Sequence, residues 1–120
     1  MAKILIHVTT GPDDPTKAAL SFLVAKTALS EGNEVSLFLA GESVRLLSDD
    51  TLNSVEGIGT GKLKEHFDAI VSSGGKFYLS GMSAKARGFD DSLLEGRPAE
   101  FAMPDVLVRL LLEADRSLTY

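Results

Sequence analysis

A chain of 120 residues, 44% apolar and 24% charged, has the size and balance of one globular domain. Such a domain buries roughly two thirds of the surface that its unfolded chain exposes. A formal net charge of -5 with no basic stripe argues against nucleic acid as a partner, and the lack of cysteine excludes disulfides, thiol nucleophiles and thiolate metal sites.

Met1-Ala2-Lys3 runs directly into a strand pattern, so no signal peptide is expected. No apolar run approaches the roughly 18 residues that span a bilayer, and the chain is expected in the cytoplasm rather than at a membrane. Ile4 to Val8 is nearly continuously apolar, as suits the buried centre of a parallel sheet. After Thr9-Thr10-Gly11-Pro12, Asp14 reads as a helix N-cap with Pro15 in the first helical position. The helix is expected to reach about Glu31 and stop at Gly32-Asn33. Its apolar residues cover more than one stripe, which predicts burial on two sides or contact with another subunit. Val35 to Leu39 is the second strand, and a βαβ unit of this length makes the two strands parallel.

Glu42 to Leu47 reads as a short helix, and Ser48 to Glu56 as a polar connection without a clear period. Gly57-Ile58-Gly59-Thr60-Gly61-Lys62 has the look of a phosphate loop but fails both templates. A P-loop needs four residues between Gly and Gly-Lys, followed by Ser or Thr, whereas here there are three, followed by Leu63. A dinucleotide loop needs a strand before it and a third glycine where Lys62 stands. A flexible loop, capped into the next helix by Thr60, is the expectation. Leu63, Phe67, Ile70 and Val71 then mark one face of an amphipathic helix, and His66, beside its polar face, is expected in solvent.

Phe77-Tyr78-Leu79 follows the turn pair Gly74-Gly75 as an aromatic strand. It breaks at Ser80-Gly81 into the helix formers Met82 to Arg87, which stop at Gly88. The turn between a strand's carboxyl end and the next helix is where free amides gather, so a site is expected around Ser80. Asp90 to Leu94 is a further helical turn, Ala99 to Ala102 a short strand, and Pro104 starts a last helix that is apolar nearly all round. That surface predicts self-association. Ser117 to Tyr120 is the closing strand. The sum is an α/β domain over residues 1–120, a three-layer α/β/α sandwich around a mainly parallel sheet of about five strands.

The Phe77 to Ser83 segment, with Ala86-Arg87-Gly88 after it, resembles the sulfur-handling segment of DsrE/DsrF-like proteins. Thr10-Gly11-Pro12, the small-residue helix with Ala25 to Leu29, Gly32, Val35 to Leu39 and Gly41-Glu42-Ser43-Val44 extend that resemblance over most of the chain. The family's sulfur-carrying members have a cysteine after the aromatic strand, where this chain has Ser80. A serine hydroxyl cannot hold a transferable sulfane sulfur, so direct sulfur relay is not expected. The resemblance implies a homo-oligomer, a trimer or hexamer, without a cofactor. It also implies a non-catalytic accessory or partner-binding role in intracellular sulfur transfer, beside a cysteine-bearing homologous subunit.

The residues alone support two other readings. Thr10, Gly11, Ser80, Gly81, Met82, Ser83, Lys85 and Arg87 are expected to meet at the carboxyl edge of the sheet and to hold a small anion or polar ligand. A hydrolase would need His7 as a base for Ser80, with Asp13 or Asp14 orienting it, but Tyr78 stands where the Gly-x-Ser-x-Gly elbow requires glycine. Two histidines about sixty residues apart give no metal-ligand spacing. No catalytic residue is assigned, and Ser80 is expected to act as a helix N-cap.

Overall fold

The computed structural model describes residues Met1 to Tyr120. Strand β1 (Lys3–Val8) leads through helix α1 (Pro15–Ser30) to β2 (Glu34–Leu39). A 3-10 turn over Gly41–Leu47 and helix α2 (Asp49–Ser54) follow, then the two-residue strands β3 (Glu56–Gly57) and β4 (Gly61–Lys62) and helix α3 (Leu63–Ser72). Strand β5 (Lys76–Ser80), helix α4 (Gly81–Ala86), a 3-10 turn over Asp91–Leu94 and β6 (Ala99–Ala102) come next, before helix α5 (Pro104–Glu113) and β7 (Arg116–Thr119). The main sheet has the order β6-β5-β2-β1-β7, and every pairing in it is parallel.

Parallel strands need crossover connections, and these are right-handed almost without exception. From β1 through β2 and β5 to β6 the chain steps in one direction across the sheet, so its helices share one face. The last crossover returns past all of them to pair β7 with β1, and α5 therefore lies on the opposite face. The first face carries the main core of 19 buried residues, centred on Ile6, Leu37, Leu39, Phe77 and Leu79 and covered by Phe22, Phe67 and Ile70. On the second face only Leu5, Phe38 and Ala102 are buried, against Leu107 and Leu110 from α5 and Ala114 directly after it.

The local signals explain where the helices begin. Asp14 accepts a hydrogen bond from the Lys17 amide, and Pro15 occupies the first turn of α1, where its missing N–H costs nothing. Helix α1 buries Ala18, Phe22 and Ala25 between the sheet and α3, which accounts for its broad apolar surface.

Four expectations are corrected. Ser48 to Glu56 is not an irregular connection but contains α2, which buries Leu52 against the core; one buried leucine leaves no period to read. Gly57 to Lys62 is an antiparallel hairpin rather than a free loop. Thr60 does not cap α3: its Oγ1 donates to the Thr16 carbonyl at 3.0 Å, while the Ile58 amide donates to Thr16 Oγ1 at 3.0 Å. His66 is buried rather than solvated, with Nε2 2.7 Å from the Thr60 carbonyl, so the hairpin folds over the helix face that the period assigned to solvent.

Phe77 is the residue on which the main core closes, with ring centroids 5.6 Å from Phe22 and 5.2 Å from Phe67. Phe77→Ala is expected to destabilise the fold by about 3–5 kcal/mol, read from the shift of the urea midpoint. A cost under about 1 kcal/mol would mean that this cluster does not hold the first face together.

Candidate functional site

Three turns meet at the carboxyl edge of the sheet: β1 to α1, β2 to the 3-10 turn, and β5 to α4. Gly41 enters the second of them with φ +62, a conformation that glycine adopts without steric penalty. Ser80 is almost fully buried, and its Oγ accepts the Ser83 amide hydrogen at 3.1 Å, so it is the N-cap of α4. Ser83 Oγ in turn accepts the Gly41 amide hydrogen at 2.9 Å, which ties α4 to the end of β2. Gly11 is buried against the backbone of Glu42, where an added Cβ would lie 2.5 Å from the Glu42 carbonyl oxygen.

Glu42 is the charged centre of this edge. Arg45 Nε donates to its Oε2 at 2.8 Å and Arg87 Nε to its Oε1 at 2.8 Å, while Arg87 Nη1 donates to the Ser83 carbonyl at 3.1 Å. The hydrogen bonds from Arg87 and then Arg45 hold the Glu42 carboxyl below the usual carboxylate range. Thr10, Gly11, Ser80, Gly81, Ser83 and Arg87 thus lie on turns that touch or adjoin one another. Met82 and Lys85 are exposed on α4, and the Lys85 ammonium has no hydrogen-bond or ion-pair partner. Glu42 and Arg45 are not among the residues that the sequence assigns to this site, and their i, i+3 spacing directly after the Gly41 turn is the local signal for them.

The structure does not bring Ser80 and His7 together. His7 pairs with Phe38 in β2, and Phe38 pairs with Tyr78 in β5, so two interstrand spacings of about 4.8 Å separate the strands that carry them. Ser80 Oγ is taken up by the cap, and Asp14 caps α1 rather than orienting an imidazole. The His7 ring lies edge-on to Phe38 at 6.0 Å, with a buried Nε2 that has no partner. Burial pushes its pKa below the ordinary histidine value. No group of three or more histidine and acidic side chains is arranged to hold a metal ion. No helix is long and apolar enough to cross a membrane.

The profile of the DsrE/DsrF-like family matches residues 2–120. The chain belongs to the DsrE/DsrF-like family. Among solved structures, it is similar to the ychN protein from E. coli, with a TM-score of 0.80 at 18% identity over 100% of both chains. A conserved protein of unknown function from Bacteroides thetaiotaomicron gives a TM-score of 0.71 at 20% identity, covering 99% of this chain and 95% of the other. A protein of unknown function from Methanobacterium thermoautotrophicum gives 0.75 at 16% identity over 100% of both. At these identities the likeness establishes the fold. A search of curated proteins found no match.

Two outcomes follow from this geometry. Ser80→Ala is expected to cost about 1 kcal/mol through loss of the α4 cap, with Ser80→Asp largely restoring stability; equal stability of wild type and Ser80→Ala would remove the capping role. For His7 the folded-state pKa is lowered, so below about pH 6.5 the unfolded chain binds the proton that the folded chain resists. Stability should therefore fall as pH drops through that region. His7→Gln should flatten the dependence of the urea midpoint between about pH 7 and 5, and an unaltered slope would assign it to other groups.

Proposed function

We propose that this chain is a non-catalytic DsrE/DsrF-like protein of the cytoplasm, an accessory or partner-binding component connected with intracellular sulfur transfer. The observation that carries this reading is the turn after β5. The strand, the capped helix and the neighbouring turns are all built, yet the side chain at that turn is the Ser80 hydroxyl, and the chain has no cysteine. A hydroxyl has neither the polarisability nor the accessible ionised form that sulfane-sulfur transfer needs. The protein then contributes surface and geometry to an assembly, and a cysteine-bearing homologous subunit supplies the thiol.

Helix α5 supports the assembly part of this reading. It stands alone on the second face of the sheet and has no fully buried residue, with Val108 and Leu112 facing outward. Leu111 is 51% exposed and Leu118 of β7 is 45% exposed. An apolar helix over so thin a core fits a homo-oligomer, a trimer or hexamer as the family resemblance implies.

A second reading, a small-anion binding module, is favoured by the two arginines that converge on the carboxyl edge. Native mass spectrometry of the protein purified from its own host separates the two. Mixed assemblies with a cysteine-bearing homologue support the accessory role, and a homo-oligomer with retained small-molecule mass supports the binding module. Leu111→Glu is expected to lower the assembly mass toward that of the protomer while leaving it folded, because this side chain is already half exposed in the single chain. An unchanged mass would remove α5 from the interface.

A further inference from the structure

The Glu42 carboxylate is shared between two guanidinium groups that come from different parts of the chain. Arg45 lies in the 3-10 turn after β2 and Arg87 directly after α4. Each donates a single Nε hydrogen bond, one to each carboxylate oxygen. Neither forms the paired two-bond fork by which arginine usually grips an oxyanion. Beyond these bonds only Arg87 Nη1 has a partner, the Ser83 carbonyl; both Nη groups of Arg45 and the Nη2 of Arg87 make no hydrogen bond within the protein. Two cations thus face one anion. A lone bridge between β2 and α4 would need only Arg87, and the second arginine leaves one positive charge and three donor groups uncommitted.

We propose that Arg45 and Arg87 form a receptor for a small free oxyanion, and that Glu42 is its built-in occupant, held in place until an incoming oxyanion displaces it. This inference rests on the anion-binding reading of the carboxyl edge and specifies the residues and the competitor. A tetrahedral oxyanion offers more acceptor positions than a carboxylate, so it can meet both guanidinium edges at once. Glu42 is able to leave: its side chain is 44% exposed, whereas that of Arg87 is only 24% exposed and is anchored to Ser83. The contact of Gly11 is with the backbone and Cβ of Glu42, so the end of the side chain can swing out while the turn stays seated. Occupation by Glu42 lowers the apparent affinity of any external oxyanion by the fraction of molecules in which the receptor is free.

The test is a titration with sodium sulfate, followed by amide and arginine side-chain NMR shifts, on the full chain and on Glu42→Gln, Glu42→Asp and Arg87→Met. Sodium chloride at equal ionic strength controls for screening. In Glu42→Gln, sulfate is expected to bind at least about tenfold more tightly than in wild type, with shifts at Arg45, Arg87, Gly41 and Ser83. Glu42→Asp, whose shorter side chain keeps the charge but reaches both arginines less well, should fall between them and serves if Glu42→Gln does not fold. Arg87→Met should abolish the shifts. Sulfate binding at this edge with the same affinity in wild type, Glu42→Gln and Glu42→Asp would overturn the displaced-carboxylate proposal while leaving an anion site. The absence of sulfate-specific shifts at this edge in every folded variant would overturn both.

Discussion

The reversal of chain direction across the sheet is the constraint on which the rest of this structure depends. Three successive crossovers step from β1 to β6 and a fourth returns to the far side of β1. Because each must keep the same hand, the reversal sends α5 to the face that the earlier helices leave bare. One face therefore receives α1, α2, α3 and both 3-10 turns and becomes the principal core, while the other receives a single helix. The thin second layer and the apolar outer surface of α5 are consequences of the same winding rule.

The winding also brings the chemistry of the carboxyl edge together. All five strands point the same way, so the turns after β1, β2 and β5 emerge side by side although they are about thirty to forty residues apart in sequence. Backbone contact joins the first two, through Gly11 against Glu42. Hydroxyl and ion-pair contacts join the second and third, through Ser83 with Gly41 and Arg87 with Glu42. These contacts form one connected polar network with charge-assisted bonds at its centre, and its charged side chains are partly exposed to solvent. Ser80 belongs to it as a cap and is one bond removed from the charged groups.

The register sets what this edge cannot do. His7 and Ser80 belong to strands separated by β2, and the imidazole is turned toward Phe38. A hydrolytic pair would require a base within hydrogen-bond reach of the hydroxyl, and the imidazole is a whole strand away from Ser80, whose oxygen already accepts the Ser83 amide hydrogen. The Ser80 side chain is used in holding a helix start, its oxygen accepting the Ser83 amide hydrogen. Structural use of the residue and absence of thiol chemistry are consistent with one another here.

Much of the architecture was legible in the amino-acid sequence because its signals are local. The apolar runs at Ile4 to Val8 and Val35 to Leu39 mark central parallel strands, Asp14-Pro15 marks a helix start, and Ser80 marks another. The Phe77 to Gly88 segment further named the family, and all five main strands were located, including the edge strands β6 and β7. Pairings between distant residues were not legible. His66 reads as a surface residue until the hairpin after α2 folds over it, and Glu42 reads as an ordinary charge until α4 brings Arg87 to it across 45 positions. Periodicity and capping report what each segment wants from its own backbone and from an unspecified apolar neighbour. Which polar groups meet is decided by strand order and register, and only the folded chain supplies those.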